Sequence, residues 1–214
     1  MSPASSGPRC PFTDALRQEL ESKLGSFERH KADAADLRRA AVALVILPDA
    51  DGEACVLLTQ RAFHLSKHAG QYALPGGRID AGETTVEAAL REAHEEVGLR
   101  LDTERVLGRL DDFVTKSGFH MGAVAVWGDP DETIVPSPDE VAEAHLVPLA
   151  QLADPKTLHL IDGEPGQAPV LSLAIVETLV FAPTAAIMLQ LAKLAVDGVV
   201  ERVHHYEQPR FAWK

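Results

Sequence analysis

The spacing of apolar residues in the first 60 positions predicts a helix followed by two strands. An amphipathic helix is predicted over 13–30, because apolar side chains recur there every three or four residues, at Leu16, Leu20, Leu24 and Phe27. Residues 31–39 are charged, and we expect a linker or a short second helix. The nearly continuous apolar run at 40–48 (AAVALVILP) predicts a buried strand, and 54–59 (ACVLLT) predicts its hairpin partner.

The rest of the chain mixes strand and helix patterns. Residues 60–82 contain many Gly, Pro and His and predict a structured loop, and a helix is predicted over 83–97. Gly98 then favours a left-handed cap at the end of that helix. Another amphipathic helix is predicted over 184–196. Further strands are predicted over 106–110, 113–115, 121–127, 144–147 and 170–173. This mixture indicates an α/β or α+β fold with a single sheet between helices.

Composition limits the classes of partner. A length of 214 residues fits one domain with extensions, and the formal net charge is -12. Nucleic acids and anionic membranes need basic patches, so the acidic balance argues against both partners. It leaves phosphate-bearing substrates open, because bound metal ions reverse the local field. With two cysteines, no signal-peptide pattern and no long apolar run, we expect a soluble cytoplasmic protein.

The segment most informative about chemistry is 76–99 (GGRIDAGETTVEAALREAHEEVGL). In the predicted helix, Glu92, Glu95 and Glu96 have i, i+3 and i+4 spacing, so their carboxylates emerge on one face. Carboxylates this close repel one another, and a hard divalent cation such as Mg²⁺ or Mn²⁺ would reverse that repulsion. The alternative is an ordinary solvated acidic face. Glu83 precedes Arg91 by eight residues, a separation that allows the two side chains to pair and brace the loop.

This segment resembles the signature of the Nudix hydrolase family, G-x5-E-x7-R-E-U-x-E-E-x-G-U, where U is apolar. The matching positions are Gly77, Glu83, Arg91, Glu92, Ala93, Glu95, Glu96, Gly98 and Leu99. The resemblance implies the Nudix fold, a mixed β-sheet sandwiched between α-helices. It also implies metal ligation by Glu92, Glu95 and Glu96, structural roles for Glu83 and Gly98, and support of the loop by Arg91.

The reaction implied by the family is attack of a metal-activated water on a diphosphate. A carboxylate must accept the proton of that water. Glu96 and Glu95 are candidates for this base by their position. Glu140 is a third candidate, because some Nudix enzymes take their base from a loop at about this point; the alternative for Glu140 is a surface acid.

Upstream of the signature, residues 57–77 (LLTQRAFHLSKHAGQYALPGG) resemble the additional motif of coenzyme A diphosphatases in the Nudix family. Ser66 replaces the usual basic residue, and Leu74 replaces the usual Phe. Because coenzyme A carries a 3′-phosphate besides its diphosphate, basic side chains beside the metal site would be useful. The predicted substrate-binding residues are Arg61, Lys67, His68, Gln71, Gly76, Gly77 and Arg78. For His68 the alternative is a loop histidine bonded to backbone, and for Arg61 it is a surface charge.

The leading hypothesis is therefore an enzyme that splits coenzyme A or acyl-CoA into 3′,5′-ADP and (acyl-)4′-phosphopantetheine. Alternatives are a Nudix hydrolase of ADP-ribose, NADH or a nucleoside triphosphate, or a Nudix-fold sensor without turnover. We expect a flexible N-terminus over 1–12, a helical extension over 13–39 and the Nudix domain over 40–214. The extension either contributes to a homodimer interface or covers the sheet.

Overall fold

The computed structural model describes residues 9–33, 36–162 and 166–210. Most of the segment predicted to be a flexible N-terminus, residues 1–8, lies outside these ranges. The helices are α1 (Asp14–Gly25), α2 (Thr85–Val97), α3 (Leu149–Ala153) and α4 (Thr184–Ala192), and a π-helical turn (Lys193–Asp197) follows α4. The strands are β1 (Arg38–Pro48), β2 (Ala54–Arg61), β3 (Tyr72–Ala73), β4 (Gly76–Arg78), β5 (Val106–Arg109), β6 (Phe113–Val114), β7 (Phe119–Trp127), β8 (Val141–Pro148), β9 (Leu158–Ile161), β10 (Val170–Ile175) and β11 (Thr178–Phe181).

The larger sheet has eight strands and is mixed. Strand β1 lies in its centre, where it pairs parallel with β7 along nine residues and antiparallel with β2. Its first half also pairs antiparallel with the short strand β4, and β8 pairs with the outer side of β2. Helices cover both faces of this sheet, which confirms the predicted α/β (α+β) class.

The alternation of side chains along β1 divides the interior into two cores. Ala41, Ala43 and Val45 lie under α2, whereas Leu44 and Ile46 face the core formed with α1 and α4. All of these residues are fully buried, as the apolar run predicted. Burial of a side chain such as Leu or Ile contributes about 1.5–3 kcal/mol, so β1 is a main source of stability.

Two predictions about segment boundaries need correction. For 31–39 the alternative of a short second helix is wrong, because the described part of that segment contains no helix, and residues 38–39 belong to β1. The predicted helix over 13–30 ends at Gly25. Its continuation is extended because the backbone N–H of His30 donates to the Asp111 carboxylate, which draws the segment onto the end of the sheet.

Helix α1 covers the sheet, one of the two roles predicted for the extension. Leu16, Leu20 and Leu24 are buried on its inner face, and α1 contacts β5 and the π-helical turn. A smaller sheet, β11-β10-β9, lies against α4, and its two outer strands were not predicted. Within the described ranges, the helices are too short or too polar for any of them to traverse a lipid bilayer.

Candidate metal and active site

The position of the glutamates is set by the ends of α2. Thr84 caps the helix through a capping box, in which its hydroxyl accepts from the N–H of Glu87 and the Glu87 carboxylate accepts from the N–H of Thr84. At the other end Gly98 has φ 76°, the left-handed conformation expected for it, and its N–H donates to His94. Caps of this kind contribute about 1 kcal/mol each and fix which residues fall on each face.

Small side chains bring α2 close to the sheet. Ala88, Ala89 and Ala93 are fully buried against β1 and β7. The close approach places Glu92 against the backbone of Gly77 on β4, where a built Cβ would overlap the carboxylate. Gly76 is equally constrained, because a Cβ there would lie 2.5 Å from the carbonyl oxygen of Ala41. Both glycines thus permit the contact between β4, β1 and the glutamate face.

Glu96 is the most deeply buried acid of α2. Its residue is only 3% exposed, and burial raises the pKa of its carboxyl to about 8. The neighbouring charge of Glu92 raises that pKa as well, and Glu140 adds a smaller effect, while Arg61 and the Gly76 N–H lower it. The pKa of Glu92 is also raised, mainly by burial. Burial and mutual repulsion therefore both disfavour the ionised forms of these two carboxyls.

Arg91 connects the glutamates to the preceding loop. Its guanidinium donates from Nε to Oε1 of Glu83 at 2.9 Å and from Nη2 to Oε2 at 3.1 Å, so the predicted pairing with Glu83 is present. The hydrogen bond from Arg91 lowers the pKa of the Glu83 carboxyl. Arg91 also donates to the carbonyl oxygen of Arg78 at 3.0 Å. This network holds the loop between β4 and α2 in place.

Glu95 and Glu140 differ from Glu96 in exposure. The side chain of Glu95 is 51% exposed and pairs with Arg91 Nη1 at 3.0 Å, and the same nitrogen donates to Glu92 at 2.8 Å. Glu140 is exposed, but its loop is fixed against the site. The N–H of Ser137 in that loop donates to the carbonyl oxygen of Glu96, and Glu140 accepts from the N–H of Ala62. The three candidate bases, Glu95, Glu96 and Glu140, therefore lie close to one another.

The predicted substrate-binding residues are less uniformly placed. Arg61, at the end of β2, acts on Glu96 electrostatically, and its Nε is buried without a hydrogen-bond partner among the described residues. His68 has φ 53°, and its Nδ1 lies 3.0 Å from Oε1 of Gln71 within the loop. Lys67 is exposed on the same loop. The Arg78 guanidinium lies 5.8 Å from the ring centroid of Phe119, away from the glutamate face.

The donor set suits a hard divalent cation by its chemistry. Glu92, Glu95 and Glu96 supply carboxylate oxygens, and the pKa of Glu96 is raised by burial and by the neighbouring carboxylate of Glu92. Within the described ranges no group of three or more acidic, His or Cys side chains already has metal-binding spacing. Arg91 holds Glu92 and Glu95 in salt bridges, so a change of rotamer in these neighbouring side chains would be needed to converge on a cation.

A second buried acidic site was missed by sequence reasoning. Asp111 and Asp112 follow β5 and are 2% and 3% exposed. Asp111 accepts from Arg202 at 2.6 Å and from Gln190 at 2.8 Å, and Asp112 accepts from Arg29 at 2.6 Å. These partners are 79 to 91 positions away in the chain, and no local pattern indicates such pairs. The adjacent pair of aspartates at a strand end was the one available signal.

The fold and the glutamate helix agree with the comparisons to known proteins. The family model of the NUDIX domain matches residues 37–172, more than half of the chain, so the chain belongs to the Nudix family. Nudix hydrolase 3 of Caenorhabditis elegans is 35% identical over 121 residues, covering 55% of this chain and 50% of that protein. An uncharacterized Nudix hydrolase, NudL, of Escherichia fergusonii is 42% identical over 108 residues, covering 50% and 56%. The chain thus spans about half the length of these relatives.

Solved structures support the fold. A MutT/nudix family protein from Enterococcus faecalis has a TM-score of 0.56 and 16% identity, covering 90% of this chain and 78% of that chain. A NUDIX hydrolase from Alicyclobacillus acidocaldarius has a TM-score of 0.55 and 18% identity, covering 76% and 94%. At these identities the likeness concerns the arrangement of the backbone.

Proposed function

We propose that this protein is a divalent-metal-dependent hydrolase that cleaves a diphosphate linkage, with coenzyme A or acyl-CoA as the substrate. The products would be 3′,5′-ADP and (acyl-)4′-phosphopantetheine. The observation that carries the proposal is the group of carboxylates on one face of α2, with Glu96 buried and Glu92 half-buried, beside Glu140 and Arg61. A diphosphate is itself anionic, so a site of this kind needs cations before it can bind one.

Glu92, Glu95 and Glu96 would hold Mg²⁺ or Mn²⁺. When bound, the metal supplies charge neutralisation for the diphosphate and lowers the pKa of a coordinated water. The residues of the chain then perform the remaining steps. Glu140, Glu95 or Glu96 accepts the proton of the attacking water, and Arg91 keeps Glu92 and Glu95 in register with the loop that carries Glu83.

The assignment of Glu140 as the base is favoured by its place in the site. It is exposed, so it can exchange protons with solvent, and it is close enough to Glu92 and Glu96 to influence the pKa of both. Glu96, in contrast, is buried and suited to ligation. In this assignment the metal ligands and the base come from different elements, namely α2 and the loop before β8.

The choice of coenzyme A rests on the segment 57–77 and on the basic side chains that it contributes. Among these basic side chains, Arg61 is the one whose charge acts on Glu96, and its buried Nε can still donate a hydrogen bond. His68 and Gln71 hold each other at 3.0 Å, which orders the loop that we propose to contact the substrate. Lys67 and Arg78 would add exposed positive charge, and Gly76 and Gly77 would allow close approach of phosphate oxygens.

The direct test is incubation of the purified protein with coenzyme A and Mg²⁺ or Mn²⁺, followed by chromatographic separation of the products. ADP-ribose and NADH are assayed in parallel, and EDTA provides the metal-free reference. Selective release of 3′,5′-ADP supports the proposal. Turnover of ADP-ribose or NADH without cleavage of coenzyme A would support diphosphate hydrolysis but reject coenzyme A as the substrate. Tight binding of a compound without any cleavage would indicate a sensor. Association of two chains stays a prediction.

A further inference from the structure

A polar cavity lies at the start of α2, apart from the face that carries Glu92, Glu95 and Glu96. It has a volume of about 150 Å³ and is lined by residues of β1, β5 and β7 of the larger sheet, together with the first residue of α2. Its polar lining consists of Arg29, Arg39, Thr85, Arg109, Asp112 and His120. The volume is sufficient for a small oxyanion, and the polar lining residues come from five separate parts of the chain.

The lining is strongly positive, in contrast to the chain as a whole. Three arginines face a single buried carboxylate, that of Asp112, which leaves two positive charges even with His120 neutral. The chain carries a net charge of -12, so this concentration of positive charge runs against its overall composition. Repulsion among neighbouring guanidinium groups costs free energy unless an anion offsets it.

Hydrogen-bonding capacity remains unused around the cavity. Asp112 accepts from Arg29 at 2.6 Å and from Arg109 at 3.1 Å through the same oxygen, Oδ1. The Nε of Arg109 is buried without a hydrogen-bond partner in the described ranges. Nε2 of His120 lies 3.0 Å from Oδ2 of Asp112, in a geometry that forms no hydrogen bond. Buried donors without acceptors are costly, so an additional acceptor in the cavity would be favourable.

Two residues of the cavity lining, Thr85 and Arg109, pack directly against a residue that lacks a side chain. A Cβ built on Gly122 of β7 would lie 2.6 Å from Cγ2 of Thr85 and 2.7 Å from Nη2 of Arg109. Such a side chain would therefore push both groups out of position. Burial lowers the pKa of Arg109, and the nearby charges of Arg29 and Arg39 lower it further, while the carboxylate of Asp112 offsets part of this effect.

A wider cleft of about 540 Å³ adjoins this cavity and shares Arg29 and Arg109 with it. Its other lining residues are the apolar side chains of Leu24 and Phe27, together with Glu28 and Lys31, whose charges offset each other. An oxyanion held by the shared arginines could thus carry an organic group into the cleft. The combination is typical of a site for an organic phosphate rather than for a simple inorganic ion.

We propose that Arg29, Arg39 and Arg109 form a binding site for the dianionic phosphate group of an organic phosphate, distinct from the glutamate site. Arginine is suited to this ligand because its planar donors match phosphate oxygens. Thr85 and Glu92 are seven residues apart on α2, which corresponds to about 10 Å along the helix. Two sources have this chemistry: a second phosphate of the substrate, or a separate phosphate compound.

The binding test uses the full chain in EDTA, so that divalent cations at the glutamate site play no part. Isothermal titration with adenosine 3′-monophosphate and with inorganic phosphate is compared for the native chain, Arg39→Ala and Arg109→Lys. We expect saturable binding of the nucleotide, weakened about tenfold or more in both variants, since each loses a charge-assisted hydrogen bond. Arg105→Ala is the matched control, because Arg105 pairs with Asp129 away from the cavity.

Thermal unfolding of each variant confirms that it is folded, and Arg109→Lys retains the charge should a larger change prevent folding. Equal affinity of the native chain and both variants would overturn the proposal. So would the absence of saturable binding by the native chain. Binding of inorganic phosphate alone, with no preference for the nucleotide, would reject the organic ligand.

A kinetic comparison separates the two sources, and this part rests on the proposed function. With Mn²⁺ present, KM is measured for coenzyme A and for 3′-dephospho-coenzyme A. If the cavity holds the 3′-phosphate, Arg39→Ala raises the ratio of the first KM to the second about tenfold. An unchanged ratio assigns the cavity to a separate phosphate compound. If the native chain does not cleave coenzyme A, the proposed function fails, and the anion site is judged by the titration alone.

Discussion

Two buried acidic sites in this protein differ in what surrounds them. At the end of β5, Asp111 and Asp112 are bonded to arginines that arrive from the N-terminal extension and from the segment after α4. On α2, Glu96 has another carboxylate, Glu92, as a close neighbour, and burial raises its pKa to about 8. The carboxylates at both sites are buried, but those of Asp111 and Asp112 are paired with positive charge, whereas that of Glu96 lies beside another carboxylate.

The contrast separates carboxylates that are paired with arginines, as at Asp111, from a buried carboxylate that has another carboxylate as its neighbour, as at Glu96. A buried carboxylate bonded to several donors is costly to disturb, because its partners lose their acceptor. A buried carboxylate beside another one lacks compensation, and a divalent cation provides it. The account predicts that substitutions at the first site affect stability, while substitutions at the second affect turnover.

The largest effect is expected for Glu96→Gln. This substitution keeps the shape of the side chain but removes the carboxylate that we propose to bind the metal, and we expect kcat for coenzyme A to fall on the order of 10²-fold or more. The metal-free protein should unfold at an unchanged or higher temperature, because burial disfavours the ionised form of this carboxyl and the amide has no ionised form. Glu104→Gln, on the exposed turn before β5, is the control. Nearly full kcat in Glu96→Gln would reject the role assigned to this residue.

The next effect concerns Asp111→Asn, which is the counterpart at the compensated site. Its carboxylate accepts from the His30 N–H, Gln190 and Arg202, so we expect the free energy of unfolding to fall by about 3 kcal/mol. Turnover per folded molecule should stay near that of the native chain. Urea denaturation gives the first quantity and an assay at low temperature gives the second. A stable Asp111→Asn would remove the basis of the comparison.

A smaller, pH-dependent effect is expected for Glu83→Gln. The hydrogen bond from Arg91 lowers the pKa of Glu83 below its ordinary value of 4.5. The stabilisation from this ionised carboxylate is therefore complete above that value and is lost as the pH falls through the lowered pKa. Unfolding temperatures of the native chain and Glu83→Gln should differ at pH 7 and converge in acid. A difference independent of pH would show that the ion pair is not its cause.

The central part of the fold and the glutamate helix were predictable because their signals are local. The run at 40–48 is buried along its whole length, and the spacing of Glu92, Glu95 and Glu96 places them on one helix. The pairing of Glu83 with Arg91 was likewise predicted from a separation of eight residues, which a loop and two helical turns can close.

The parts that were missed depend on contacts between distant segments. Strands β9 and β11 have four residues each and lie between turns, so they carry too little periodicity to be recognised. Strand β10 between them was predicted because its apolar residues are buried against α4. The arginines around Asp111 and Asp112 come from both ends of the chain, and only the folded arrangement brings them together.

The most direct test of the account is titration of the metal-free chain with Mn²⁺ by isothermal titration calorimetry, with Glu96→Gln and Glu104→Gln measured in parallel. The account predicts saturable binding to the native chain and to Glu104→Gln, with affinity at least tenfold weaker in Glu96→Gln. Binding of equal strength in all three proteins, or no saturable binding to the native chain, would contradict the claim that the uncompensated glutamates of α2 form the metal site.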